Sequence, residues 1–242
     1  MSKPRFAFLA LQEHPYAREM LRQLTSEGFV PKVIVTEDSD IADTERQKFL
    51  ERIAGRPLAP TLEEQAAREG IPLRTLPIHS GELLMQELGS LPLDLIVLGG
   101  TRIIRGEILD YPKDGVINSH PGLLPDCRGS ASPAWSVYHD IPIGSSTHFC
   151  DNGIDTGDLL MRRAVEVKRG MNYADLCYET LVLAGVLMKE ALVAYEQGRW
   201  GELRRPQGES EWPTFKNAPP EVLEVVDRKL ADQTYAHYAD GT

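Results

Sequence analysis

Two short stretches of the sequence combine residue types that can act together on a carbonyl group. The first is Asn118-Ser-His120, at the end of an apolar segment and directly ahead of Pro121-Gly-Leu-Leu-Pro-Asp-Cys-Arg-Gly129. The second is Asp151-Asn-Gly-Ile-Asp-Thr-Gly-Asp158, which packs three carboxylates and two glycines into eight residues, with His148 just before it. Asn118 and His120 lie two apart at the end of an expected strand, so both side chains project to the same side. An amide donor beside an imidazole can stabilise an oxyanion, and a carboxylate brought to them can hold or relay a proton. Taken alone, each stretch also reads as an ordinary turn, because Asn, Asp and Gly suit tight backbone conformations. Calcium is a third reading of the acidic stretch, but the twelve-residue EF-hand pattern with its terminal Glu is missing.

The elements that must position these residues follow from apolar spacing and turn signals. Arg5–Ala10 reads as a strand, Tyr16–Glu27 as a helix ending at Gly28, and Lys32–Thr36 as a second strand. Thr61-Leu-Glu-Glu64 is a capping box whose helix should stop at Gly70, before a short strand at Leu73–Thr75. Gly81–Leu88 is expected to be helical, and the nearly all-apolar run Leu93–Leu98 suits a parallel strand covered on both faces. Strands at Gly115–Ser119 and Ser145–Cys150 flank a helix at Pro133–His139, and a long helix capped by Asn172 runs from Tyr173 to Gln197. Strands alternating with helices predict an α/β fold with an open, mostly parallel, Rossmann-like sheet, which binds ligands beyond the carboxyl ends of its strands.

Composition narrows the function classes. The chain has 242 residues, 42% hydrophobic and 26% charged, enough for one sizeable core, and no apolar run approaches the length of a membrane span. Lys and Arg number 26 against 36 Asp and Glu, a net charge of -10 that disfavours a nucleic-acid partner. Cys127, Cys150 and Cys177 are scattered and form no metal-binding spacing. They predict a reducing, cytoplasmic setting and no metal. The six-residue apolar run near the start is too short for a signal-peptide core.

With its order and spacing, the set Asn118-Ser-His120-Pro-Gly-Leu-Leu-Pro-x-x-Arg128-Gly129, then His148, then Asp-x-Gly-x-Asp155-Thr-Gly resembles the folate-dependent formyltransferase family. The resemblance covers roughly residues 5–197 and is sharpest over 93–160. It implies a cytoplasmic enzyme of biosynthesis that moves the formyl group of formyltetrahydrofolate onto a primary amine. By the same resemblance Asn118, His120 and Asp155 are catalytic. Asn118 and a protonated His120 would donate to the oxyanion, and Asp155 would keep His120 charged and relay a proton. The folate would be held by Leu98, Gly100, Arg102, Ile103 and Ile104, with Asp151, Gly153 and Ile154. His14, Tyr16, Arg128 and Trp135 are candidates for the acceptor pocket. Tyr138 shares that aromatic reading, and Arg102, Arg105 and Arg128 are candidate sources of positive potential, although surface or core placement is the plainer reading of each. His148 reads equally as a support for Asp155 or as a core histidine.

Departures from the family pattern bear on the acceptor. The turn after the first strand, Ala10-Leu-Gln-Glu-His-Pro-Tyr16, has no glycine to build a phosphate cradle, which disfavours the purine-pathway acceptor. About forty residues follow Gly198, and they are rich in Pro and polar residues. The expectation is a catalytic domain over 1–198 and an extension over 199–242 that wraps it and ends in a helix near Glu221–Leu230. A basic tRNA-binding domain is not expected. A nucleotide-linked amino sugar or an amino-acid-like intermediate remains as acceptor, and a homodimer is possible. The alternatives are a formyltetrahydrofolate hydrolase, for which a regulatory segment ahead of the first strand would be expected, methionyl-tRNA as acceptor, and a folate binder without catalysis.

Overall fold

The computed structural model describes residues 2–239. Its centre is a seven-stranded sheet, β1 (Phe6–Leu11), β2 (Val33–Glu37), β3 (Leu73–Leu76), β4 (Leu95–Leu98), β5 (Val116–His120), β6 (Gly144–Phe149) and β7 (Leu159–Ala164), in the order β3-β2-β1-β4-β5-β6-β7. From β3 to β5 all pairs are parallel, and β6 and β7 are antiparallel additions. The expected α/β class with an open, mostly parallel sheet is therefore the observed one. The helices are α1 (Pro15–Ser26), α2 (Asp40–Ile53), α3 (Leu62–Glu69), α4 (Gly81–Leu88), α5 (Ser132–His139), α6 (Tyr173–Glu196), the short α7 (Trp200–Leu203) and α8 (Pro220–Ala231).

The all-apolar reading of the inner strands has a direct cause: β1 and β4 are buried on both faces. Phe6, Phe8 and Ala10 pack with Met20, Leu21 and Leu24 of α1 and with Leu181, Met188 and Leu192 of α6. Ala7 and Leu9 turn the other way, toward Leu84 and Leu88 of α4. Strand alternation thus splits one apolar run between two cores. Thr61 and Glu64 do form the capping box of α3, Gly70 ends it in the left-handed region, and Asn172 with Asp175 caps α6 in the same reciprocal way.

Most element ends shift by one or two residues from the sequence reading, and the structure adds the 3-10 turn Glu107–Leu109 and three further elements. The helix α2 is one; it buries only Ala42 and Ile53, so little apolar periodicity announces it. The strand β7 buries Leu159 and Leu160 but exposes Arg162 to Ala164, because it is a sheet edge. The third is the single turn α7.

Residues 204–219 run as an extended strap back past the start of β7 to the loop that follows β5. The N–H of Leu159 donates to the Arg205 carbonyl at 2.8 Å, and Phe215 exchanges backbone hydrogen bonds with Arg128 and Ser130 at 2.9 Å each. Beyond the strap, α8 lays Val222, Val226 and Leu230, one apolar stripe at helical spacing, against Ala134 and Val137 of α5.

Candidate active site

The strand β1 has β2 on one side and β4 on the other, so sheet growth reverses between β1 and β4, the position where open α/β sheets bind ligands. A cleft of about 790 Å³ opens there. It is bounded by the turn after β1, residues 98–104 after β4, the end of β5, the 150–155 loop and part of the strap. Asn118 and His120 reach it from β5. His148 comes from β6, directly across from Asn118 in the antiparallel pairing, next to a register shift that locally re-aims the strand.

Asp155 sits between the two histidines. His120 Nδ1 is 3.5 Å from Asp155 Oδ2, and His148 Nε2 is 3.5 Å from Asp155 Oδ1. The far nitrogen of each ring meets a main-chain carbonyl, Cys127 O at 2.7 Å from His120 Nε2 and Phe149 O at 2.8 Å from His148 Nδ1. A carbonyl only accepts, so both far nitrogens carry hydrogens and both near nitrogens face the carboxylate. Asn118 Nδ2 lies 3.4 Å from His148 Nε2. His148 is 2% exposed and stands beside Asp155, a placement that suits either sequence reading of it.

Burial dominates the charge state of His120. Its ring is 4% exposed, and burial pushes its pKa below the ordinary imidazole value, with His148 adding to the fall while Asp155 and the Cys127 carbonyl pull against it. That fall works against the standing imidazolium of the sequence expectation. Burial also opposes the charge on Asp155, but His120, His148 and the Gly129 N–H, which donates to Oδ2 at 2.9 Å, hold it far below the usual carboxylate range. The result is an ionised carboxylate facing an imidazole nitrogen that is ready to receive a proton.

The loops around this group are held from behind. Arg128 Nε donates to the Asp155 carbonyl at 3.3 Å, and Gln207 of the strap donates to the carbonyls of Asp155 and Gly157 at 2.8 and 2.7 Å. Gln207 also accepts from Arg128 Nη2 at 2.9 Å. No local motif marks Gln207 in the sequence; only its presence in an extension that returns to the sheet gives it a role. Asp155 itself has φ 53°, the left-handed region that Asp and Asn tolerate. Two glycines are required by contact: a Cβ on Gly122 would lie 2.6 Å from both His120 Nε2 and the Cys127 carbonyl, and one on Gly129 would lie 2.1 Å from the Phe215 carbonyl.

The other expected site residues divide. Leu98, Gly100, Arg102, Ile103, Ile104, Asp151, Gly153 and Ile154 all line the cleft, as do His14 and Tyr16. Ile103 leaves 55% of its surface exposed there, an apolar side chain free to cover a flat ring. Arg102 lines the wall with its guanidinium committed, because it forms a bidentate pair at 2.8–3.1 Å with the fully buried Glu37. Asp151 accepts from Gly153 N and Thr156 Oγ1 at 2.9 and 2.6 Å and so braces its own loop. Tyr16 donates its hydroxyl to the Ser119 carbonyl. The acceptor-pocket reading of Arg128 and Trp135 is not supported by their placement: both stand outside the lining. Arg128 braces Asp155, while Trp135 stacks on Phe215 at 5.0 Å and donates to the Lys216 carbonyl at 2.7 Å. The residues that take their place at the cleft are Phe49 of α2 and Thr214 to Asn217 of the strap, which the sequence reading did not select.

The turn after β1 carries no anion cradle. His14 caps α1 with its own Nδ1, which accepts from Tyr16 N at 3.2 Å, and burial with the positive fields of Arg52 and Arg46 pushes its pKa down to about 3. Next to it, the Glu13 carboxylate accepts from the first backbone N–H groups of α3 at 3.0–3.3 Å. A carboxylate and a self-capped helix start occupy the place where a phosphate would need free N–H donors.

Comparison with known proteins gives the family and the fold. The family model described as formyl transferase matches residues 4–192. A methionyl-tRNA formyltransferase of Ruminiclostridium cellulolyticum is 33% identical over 200 residues, which is 81% of this chain and 60% of that relative's length. Among solved structures, a glycinamide ribonucleotide transformylase of Symbiobacterium toebii superposes with a TM-score of 0.62 at 23% identity, covering 81% of this chain and 89% of that one. A sugar N-formyltransferase of a Shewanella species gives 0.59 at 16% identity, covering 88% and 76%. At these identities the structural likenesses concern the fold.

Proposed function

This chain belongs to the formyl transferase family, and on that premise we propose that it transfers the formyl group of formyltetrahydrofolate to a primary amine of a small acceptor. The observation that carries the reading is the presence of Asn118, His120 and Asp155 in the lining of one cleft, with His120 and Asp155 3.5 Å apart.

In this reaction a bond forms between the acceptor nitrogen and the formyl carbon, and the bond from that carbon to the folate nitrogen breaks. The amine loses a proton and the departing folate nitrogen gains one. Asn118 supplies an amide N–H to the carbonyl oxygen as it becomes negative, a contact worth a factor of about 10²–10³ when lost. His120 has its Nε2 hydrogen committed to Cys127, so its free Nδ1 is the atom that takes the proton, and Asp155 stabilises the imidazolium that results. This division of labour differs from the sequence expectation, in which His120 donates to the oxyanion from the start.

The residues of the folate wall fit a flat, partly apolar co-substrate. Exposed Ile103, buried Ile104 and Leu98 offer apolar surface, and the main chain of Gly100 and Gly153 lines the same cleft. A single experiment separates the possible activities. The protein is given formyltetrahydrofolate alone and then with a panel of amino sugars, amino acids and their phosphorylated or nucleotide-linked forms, while folate turnover is followed. Turnover only with an amine supports transfer. Formate released without one marks a hydrolase, and no turnover with any acceptor defeats the proposal. Methionyl-tRNA belongs in the panel because of the 33% identical relative, although a net charge of -10 works against a polyanionic partner.

A further inference from the structure

The helix α5 begins without a side-chain cap: Ala131 stands at its N-cap in the left-handed region, at φ 55° and ψ 34°. Serine commonly spends its hydroxyl on the free N–H groups of a first helical turn, but Ser132, the first residue of α5, turns its hydroxyl inward. It is 1% exposed, and its Oγ lies 3.0 Å from His120 Nε2 and 3.5 Å from the Cys127 carbonyl oxygen. That carbonyl is 2.7 Å from the same ring nitrogen and can only accept, so Nε2 carries its hydrogen and shares it between two oxygens. The hydroxyl hydrogen is then directed along the longer approach to Cys127.

Resting on the functional reading above, we propose that Ser132 is a positioning residue for His120: its hydroxyl accepts from Nε2–H, keeps the hydrogen on that nitrogen, and so leaves Nδ1, which faces Asp155, as the atom that takes a proton from the acceptor amine. Ser132 does not line the cleft, so it acts through the ring alone. Its acceptor oxygen matters most once the proton has arrived, because the N–H of an imidazolium makes the stronger, charge-assisted bond. Water does not take its place: the ring is 4% exposed, and Gly122 packs so near that a Cβ there would lie 2.6 Å from Nε2. The titratable groups around the ring come from three other segments. Asp155 faces Nδ1 at 3.5 Å from the loop after β6, and His148 adds its field from β6 itself. The Cys127 thiol, which burial pushes up to about 11, stays uncharged and donates to the Ser132 carbonyl at 3.4 Å.

The test follows the two ring nitrogens of His120 by heteronuclear NMR through a pH titration of the full chain without substrate, with His120→Gln to identify the signals. The neutral ring of the unsubstituted protein is expected to carry its hydrogen on Nε2. In Ser132→Ala the midpoint of the ring's titration should fall by about half a pH unit, because the lost acceptor favours the charged form more than the neutral one. Ser132→Cys keeps the size, replaces the oxygen by a weak acceptor, and should move the midpoint in the same direction. Ser136→Ala is the control: it removes an equally buried hydroxyl one turn along α5, which donates to Cys127 Sγ at 3.6 Å, and should leave the midpoint where it was. A hydrogen found on Nδ1 of the neutral ring, a midpoint that neither Ser132 variant moves, or one that Ser136→Ala moves equally overturns the inference. With any amine that proves to be a substrate, the acidic limb of kcat/KM against pH should move together with the ring. A ring that responds as expected in a protein that turns over no amine supports the hold of Ser132 on His120 and defeats the functional reading alone.

Discussion

Asp155 and Gln207 are 52 residues apart in sequence, yet the Gln207 amide donates to the Asp155 carbonyl at 2.8 Å and ties the proposed catalytic loop to the C-terminal strap. The same amide reaches the Gly157 carbonyl, so both ends of the turn hang on one side chain. Gln207→Glu keeps the acceptor that Arg128 uses and removes the donor. Turnover of this variant should drop about tenfold with little change in the folate Michaelis constant, as expected for a lost pair of partly buried hydrogen bonds acting through Asp155. Steady-state kinetics of the two proteins side by side check it.

Asp155→Asn removes the charge that would stabilise a His120 imidazolium in the proposed function, while keeping size and left-handed backbone preference. Turnover should fall about 10²-fold or more, and the melting temperature should stay within a few degrees. A stable variant with near-normal rate would return Asp155 to the role of a turn residue.

Asn118→Ala should lower turnover by about 10²–10³ and leave folate binding almost unaltered, because a donor to a developing oxyanion acts mainly in the transition state. Single-turnover kinetics isolate the chemical step. Retention of more than about a tenth of the rate would take the oxyanion role away from Asn118.

The pH dependence of stability has a definite sign. Burial pushes the imidazole of His79 down to about 4, against the pull of Glu37, whereas in the unfolded chain it titrates near 6.5. Between those values the unfolded state binds the extra proton, so stability is highest above about pH 6.5 and is lost as pH falls toward 4. This group contributes a slope of about 1 kcal/mol per pH unit in that window. Denaturant melts at pH 7, 6 and 5 should show the loss, and His79→Leu should flatten it.

Much of this architecture was legible because local signals and tertiary demands agree. Leu93 to Leu98 reads as a doubly covered strand and is one from Leu95, Thr61 and Glu64 cap α3 as their spacing implies, and Asn118 and His120 share a strand face as alternation requires. The family motif then brought Asp155 into the same group. What escaped was set by long-range contact. Nothing near Arg102 in sequence says that its charge is consumed by Glu37, 65 residues away, and nothing near Phe215 says that it adds to the loop at Gly129. The helix α2 was missed because only two of its fourteen residues are buried, which leaves the apolar pattern too faint to read.

The three residues Arg128 to Ser130 serve two structures at once. Gly129 N–H holds the Asp155 carboxylate, while the Arg128 carbonyl and the Ser130 N–H hold Phe215 and with it the strap. The strap and the Asp155 carboxylate therefore hang on one short run of main chain. If the proposed function holds, a ligand that draws the strap inward would load the same peptide units that aim the carboxylate, and so couple occupancy of the cleft to the placing of Asp155. In hydrogen exchange the amides of Gly129, Ser130 and Phe215 should then open as one cooperative unit, and separate exchange rates for the three would show that the hinge is not shared.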